Sequence, residues 1–229
     1  MIRLHIIAEG QTETNFAQKV LAPHLAGFNI IVDARAVMTS KDRRTSQKRS
    51  GGITSYGKAK NDIMAWLKED AGAESRFTTM FDLYGLPKTF PEYDNTPRSA
   101  DPYERIKILE AALASKINDP QGRFIPYIQL HEFEALIFAD PRQLYWNYLE
   151  YATPIRNLSA MVEGQNPELL NDGPATAPSK RILKEIPAYD KVTAGVAVAE
   201  KIGLPTLREK CRHFAEWVSR LESLAGTNP

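Results

Sequence analysis

The residues best placed for chemistry are carboxylates that follow apolar runs. Ile2-Arg3-Leu4-His5-Ile6-Ile7-Ala8 alternates and then turns wholly apolar, as a strand does, and Glu9-Gly10 follows at once. The run from Phe77 to Tyr84 is β-rich in composition, presents Asp82 at its end and closes at Gly85-Leu86-Pro87. A further candidate strand, 123–130, carries a proline that suits an edge or a bulge, and it leads into His131-Glu132-Phe133-Glu134. Open α/β sheets place ligands outside the carboxyl ends of their strands, so Glu9, Asp82, Glu132 and Glu134 are expected to converge. Carboxylates at such a point take protons or hold Mg²⁺ or Mn²⁺, hard cations that select oxygen ligands. Two such ions can stabilise both the attacking and the leaving oxygen of a phosphodiester. The plainer reading makes Glu9 a loop residue and gives the pair to N-terminal helix charge. Residues two apart do not share a helical face, so either the chain is irregular at the pair or only one of them, with Glu134 preferred, is a ligand.

Other side chains offer less. His5 lies within the first strand, and His24 and His213 lie on helices without partners at ligand spacing; His131 alone sits beside acids and is a candidate to bind metal or orient water. Cys211 is the single cysteine and belongs to an apolar seam, which excludes an internal disulfide framework and a cysteine-rich zinc site. Phosphate-cradling Gly-rich loops and nucleophile-elbow serines are absent from the sequence. Residues 41–52 carry five bases against one acid and end in two glycines, which reads as a flexible basic loop. Lys41, Arg43, Arg44, Lys48 and Arg49 there either grip nucleic-acid phosphates or form an ordinary solvated loop.

The elements that must position these groups follow from periodicity. Helical spacing marks 14–25, with Thr12 as its cap, then 56–70 and the stripe Ile106, Leu109, Leu113 and Ile117 after Pro102. An apolar segment over 28–38 supplies a second strand, and 87–102 is a long proline-rich loop. Strand and helix in alternation predict an α/β fold with a central, mainly parallel sheet flanked by helices. Beyond residue 140 the pattern is helical only, so an α/β domain over 1–140 and a helical extension over 141–229 packed on it are expected. Residues 163–178 read as a linker. Leu207, Cys211, Phe214, Val218 and Leu221 form a seam on one long last helix, as core or as a homodimer contact. With 229 residues, 43% hydrophobic and 25% charged, net charge +1, the composition is that of a globular protein. No apolar run approaches the roughly 20 residues of a membrane span, and the first residues lack the pattern of a signal peptide; a cytoplasmic protein is expected.

Ala8-Glu9-Gly10-Gln11-Thr12-Glu13, Phe81-Asp82-Leu83-Tyr84-Gly85, His131-Glu132-Phe133-Glu134-Ala135-Leu136 and Pro178-Ser179-Lys180-Arg181 together resemble a bacterial Toprim-like (topoisomerase–primase) family. That family is similar to the nuclease half of overcoming-lysogenization-defect nucleases and is often encoded beside an ATPase in anti-phage defence loci. The resemblance implies a Mg²⁺-dependent (or Mn²⁺-dependent) nuclease acting on DNA or RNA. In that reading Glu9 is general base or metal ligand, and Asp82 is the first aspartate of the Asp-x-Asp motif. Glu132 or Glu134 makes up the carboxylate lost where Tyr84 replaces the second aspartate. Lys180 and Arg181 hold a phosphate or stabilise charge on the leaving group. The alternative is a non-catalytic Toprim-like partner of an ATPase, which the missing aspartate favours; a small-molecule phosphotransferase or nucleotide binder has little support.

Overall fold

A computed structural model describes residues 1–41, 48–50, 53–97, 101–170 and 176–226, with backbone alone for 38–41 and 48–50. Strand β1 (Ile2–Ala8) leads to α1 (Gln11–Phe16), which continues through a π-helical turn (Ala17–Leu21) into α2 (Ala22–Ala26). Gly10 precedes the first turn, and the Glu13 side chain reaches back to accept from the Gly10 N–H at 2.9 Å. Glu13 thus does the capping expected of Thr12, and the helix starts earlier than its apolar spacing suggests. Strand β2 (Ile30–Ala36) follows, and then β3 (Met38–Lys41) and β4 (Lys48–Ser50) pair as an antiparallel hairpin. The stretch read as a basic loop is therefore partly strand: Lys41 lies in β3, Lys48 and Arg49 in β4, while Arg43 and Arg44 fall outside the described residues.

Helix α3 (Tyr56–Glu69) precedes β5 (Ser75–Asp82), and α4 (Pro102–Ile117) precedes β6 (Phe124–Ile125) and β7 (Ile128–Gln129). Pro126, which has no N–H to give a ladder, separates β6 from β7, and both pair with β5. The main sheet has five strands in the order β2-β1-β5-β6, β7 also pairing with β5, and every pairing is parallel. The chain leaves β1 toward β2 on one side and later enters β5 on the other. β1 and β5 therefore flank the topological switch point, where such sheets open a crevice at their carboxyl ends.

Period-two alternation divides the side chains between the two faces. Ile2, Leu4 and Ile6 of β1 join Phe16, Leu21 and Leu25 and the helices beyond residue 133 in one buried cluster. Phe77 and Phe81 of β5 join Ile63, Trp66, Ile106 and Leu109 of α3 and α4 in a second. Helices α5 (Glu134–Ile137), α6 (Ala152–Val162), α7 (Pro178–Glu185), α8 (Val196–Lys210) and α9 (Arg212–Glu222) complete the chain. The expected long last helix is two, because Cys211 leaves helical geometry (φ −117°, ψ 94°) between α8 and α9. Leu207, Cys211, Phe214, Val218 and Leu221 all remain buried in the first cluster, so the seam is core and does not face a second copy.

The segment read as a linker holds an anchor. Glu168 is fully buried and accepts from the N–H groups of His213 and Phe214 at 2.9 and 3.0 Å, capping α9, and from the Tyr103 hydroxyl at 3.0 Å. Tyr103→Phe is expected to cost about 1 kcal/mol in urea unfolding, because it removes one of these donors from a buried carboxylate. No helix among the described residues is long and apolar enough to cross a membrane.

Candidate functional site

At the carboxyl edge of the sheet, Glu9 follows Ala8 of β1, and Asp82 ends β5. The two strands are in register through Ala8 and Met80, and the Glu9 N–H donates to the Met80 carbonyl at 2.9 Å. Glu9 Oε2 accepts from the backbone N–H of Asp82 at 2.9 Å, bridging the two strand ends. Only a glycine leaves room for that carboxylate: a Cβ at Gly85 would collide with both Glu9 oxygens. Gly85→Ala is expected to push Glu9 off the Asp82 N–H and to weaken any divalent-cation binding at the site, with little change in thermal stability; calorimetric titration beside a melting curve measures both.

Glu134 opens α5 and is fully buried, and Glu13 on α1 is 3% exposed. His131 adopts φ +62° just before the pair, and Phe133 between the two acids is helical (φ −49°, ψ −38°), so that, two apart, they point to different sides. Glu134 turns into the site, whereas Glu132 Oε1 accepts from the Ser179 N–H at 2.6 Å at the start of α7. His131 is buried against Tyr84, its ring 5.4 Å from the tyrosine ring, and burial lowers its pKa to about 4, keeping it neutral. Tyr84 donates its N–H to the His131 carbonyl at 2.9 Å and is 38% exposed.

Into these carboxylates comes a lysine that the sequence pattern did not single out. Lys191 Nζ lies 3.2 Å from Asp82 Oδ2, 3.2 Å from Glu134 Oε2 and 3.8 Å from Glu13 Oε1. It begins a π-helical turn (Lys191–Gly195) fixed by Asp190, whose carboxylate accepts from the Val192 and Thr193 N–H groups and from the Thr193 hydroxyl. The Asp190 N–H donates in turn to the Tyr148 hydroxyl at 2.9 Å. Such π turns recur at functional sites.

The electrostatics are those of crowded, dry carboxylates. Burial first, and the Asp82 charge second, raise Glu9 to about 8 and Glu13 to about 7. Burial raises Glu134 to about 8 against the pull of Lys191. Burial works against the Lys191 ammonium, yet Asp82, Glu134 and Glu13 outweigh it and hold the charge on. Asp82 Oδ1 and Glu134 Oε1 are buried without a hydrogen-bond partner, and Glu134 Oε2 has only its ion pair with Lys191. An all-oxygen set with spare lone pairs and suppressed ionisation suits a hard divalent cation. Among the described residues, though, no three His, Cys, Asp or Glu side chains are already grouped to hold one ion, and Lys191 lies between these acids.

Glu9, Asp82 and Glu134 thus meet, together with Glu13, which the sequence motif contained but did not distinguish. Lys180 is exposed on α7, and the lysine beside the acids is Lys191. Arg181 Nε donates to the Thr176 carbonyl at 2.6 Å, and its Nη1 lies 3.1 Å from Met161 Sδ.

The model of a family described as "Domain of unknown function (DUF4276)" matches residues 8–222. No curated protein matches the chain. Among solved structures it is similar to the C-terminal region of the Burkholderia pseudomallei OLD protein, at 17% identity and TM-score 0.42, covering 96% of this chain and 98% of that one. It is also similar to the C-terminal region of the Xanthomonas campestris pv. campestris OLD protein, at 16% identity and TM-score 0.38, covering 96% and 97%.

Proposed function

This chain belongs to the DUF4276 family, and we propose that it is a Toprim-like, divalent-metal-dependent nuclease that hydrolyses phosphodiesters of DNA or RNA. One observation carries the reading: Glu9, Glu13, Asp82 and Glu134 gather at the switch point of a parallel sheet, three of them around the Lys191 ammonium. Glu9, Glu13, Asp82 and Glu134 would hold Mg²⁺ or Mn²⁺, while Glu132, expected as a further ligand, is engaged by the Ser179 N–H instead. Bound there, such ions supply an activated water and charge balance on the attacking and leaving oxygens. Glu13 provides the carboxylate that Tyr84 does not. Where Glu9 is not itself a ligand, its carboxylate at the end of β1 would instead take the proton of the attacking water. Lys191 takes the role expected of Lys180: once its carboxylates are otherwise neutralised, the ammonium faces a phosphoryl oxygen and offsets its developing charge.

The finer reading is an effector of an ATPase-associated anti-phage system acting in the cytoplasm; it is supported by the motif resemblance. The competing reading, a non-catalytic partner of an ATPase, is favoured by one feature, the internal charge balance that Lys191 already gives the acids. Incubation with plasmid DNA and with RNA in millimolar Mn²⁺ or Mg²⁺ separates the two. Cleavage that chelator stops supports the nuclease; intact substrates in both metals would hand the site to the partner reading.

A further inference from the structure

Helices α6 and α7 enclose a cavity of about 230 Å³ that stands apart from the carboxylates. Lys180, Arg181 and Lys184 line it with a single acid, Glu185, while Leu158 and Met161 of α6 form an apolar wall. Lys180 and Lys184 are exposed, and they stand about one helical turn apart on the same side of α7, about 6 Å along its axis. Arg181 is fixed by its contacts with Thr176 and Met161, so its charge is anchored at the cavity wall. Glu132, two residues from Glu134, holds the first turn of α7 through the Ser179 N–H. The groove and the acid cluster are therefore tied to one short segment of chain, 132–134.

We propose that this α6–α7 groove is a backbone-phosphate subsite that holds the nucleic-acid strand to one side of the acid cluster. The inference rests on the nuclease reading and adds to it the way the polymer is gripped. Strand phosphates repeat about every 3.4 Å along the axis of a duplex. Lysines one turn apart therefore match phosphates one to two nucleotides apart, and the apolar wall accommodates the intervening sugar. A polymer suits this arrangement because its phosphates are spaced along a line, and contacts of this kind carry no sequence preference.

The test is fluorescence anisotropy of a labelled oligonucleotide in chelator, with the intact protein, as a function of salt. The double variant Lys180→Gln/Lys184→Gln is expected to bind roughly tenfold more weakly at low salt. Its log–log salt slope should become shallower by about 2, one for each lost phosphate contact. The control Lys19→Gln/Lys116→Gln removes the same charge from exposed positions on other helices and should leave both quantities unchanged. Equal losses in the two double variants, or none in the groove variant, overturn the subsite. Displacement by tripolyphosphate as effective, phosphate for phosphate, as by unlabelled oligonucleotide also overturns it in favour of a small polyanion. Metal titration of the same variants keeps the two readings apart. A groove variant that binds metal normally but strand poorly supports both. Normal metal binding with no groove effect removes the subsite alone, and a wild type that binds no metal removes the nuclease reading whatever the groove does.

Discussion

Lys191→Met is expected to destabilise the metal-free protein by about 2 kcal/mol near pH 8 and by much less near pH 5, read as the shift in urea midpoint. Removing one partner of a buried ion pair costs about 3–5 kcal/mol, and the 34% exposure of the Lys191 side chain reduces that figure through solvent screening. The pH dependence follows from linkage. A lysine whose folded pKa is raised contributes stability that is present below its unfolded pKa, hence across the whole neutral range. The carboxyls act in the opposite sense. Glu9, Glu13 and Glu134 ionise in the unfolded chain near pH 4.5 but in the folded chain only near 7 to 8, so they lower stability progressively as pH rises through that window. Without Lys191 that loss steepens; at pH 5 these three glutamates are protonated and draw little on it. Mg²⁺ bound only by the folded state should recover part of the loss. An equal deficit at both pH values would show that Lys191 contributes packing and not charge.

Glu9→Gln and Asp82→Asn are expected to lower phosphodiester cleavage more than a hundredfold, beyond the 10–100-fold typical of losing a partner one shell further from a metal. Stability should move the other way for Glu9→Gln. The amide oxygen still accepts from the Asp82 N–H while the repulsion with Asp82 and Glu13 disappears, so the variant should unfold at higher urea than wild type at pH 8. Loss of activity with a gain of stability marks a residue kept for function. A Glu9→Gln protein that loses stability and activity together would make Glu9 a structural strap between β1 and β5.

How far this site could be read in advance depends on how its residues signal. Glu9 and Asp82 were legible because β1 and β5 alternate or are β-rich up to the carboxylate, and strand ends on one side of a parallel sheet converge. Glu134 was legible because it follows a candidate strand, and its two-residue spacing from Glu132 already set the two on different sides, although the left-handed turn at His131 before them has no pattern of its own. Glu13 was hidden by a local role, because its carboxylate also caps the helix it belongs to. Lys191 was not legible from spacing: it sits in a short polar turn and meets Asp82 across 109 positions. Its one local signal, Asp190 before Val192-Thr193, describes a turn and says nothing of its target. The β3–β4 hairpin escaped notice because basic strands show no apolar alternation. The break at Cys211 escaped because the apolar seam runs on through it, α8 and α9 feeding the same core.

The central claim is that the clustered acids are a divalent-cation site, and calorimetric titration of Mn²⁺ and Mg²⁺ into the wild type, Glu9→Ala and Asp82→Ala tests it most directly. Binding by the wild type that each substitution abolishes, in proteins that remain folded, is the predicted result. Wild-type protein that takes up neither ion at millimolar concentration would contradict the account and leave Lys191 as the permanent cation of the cluster.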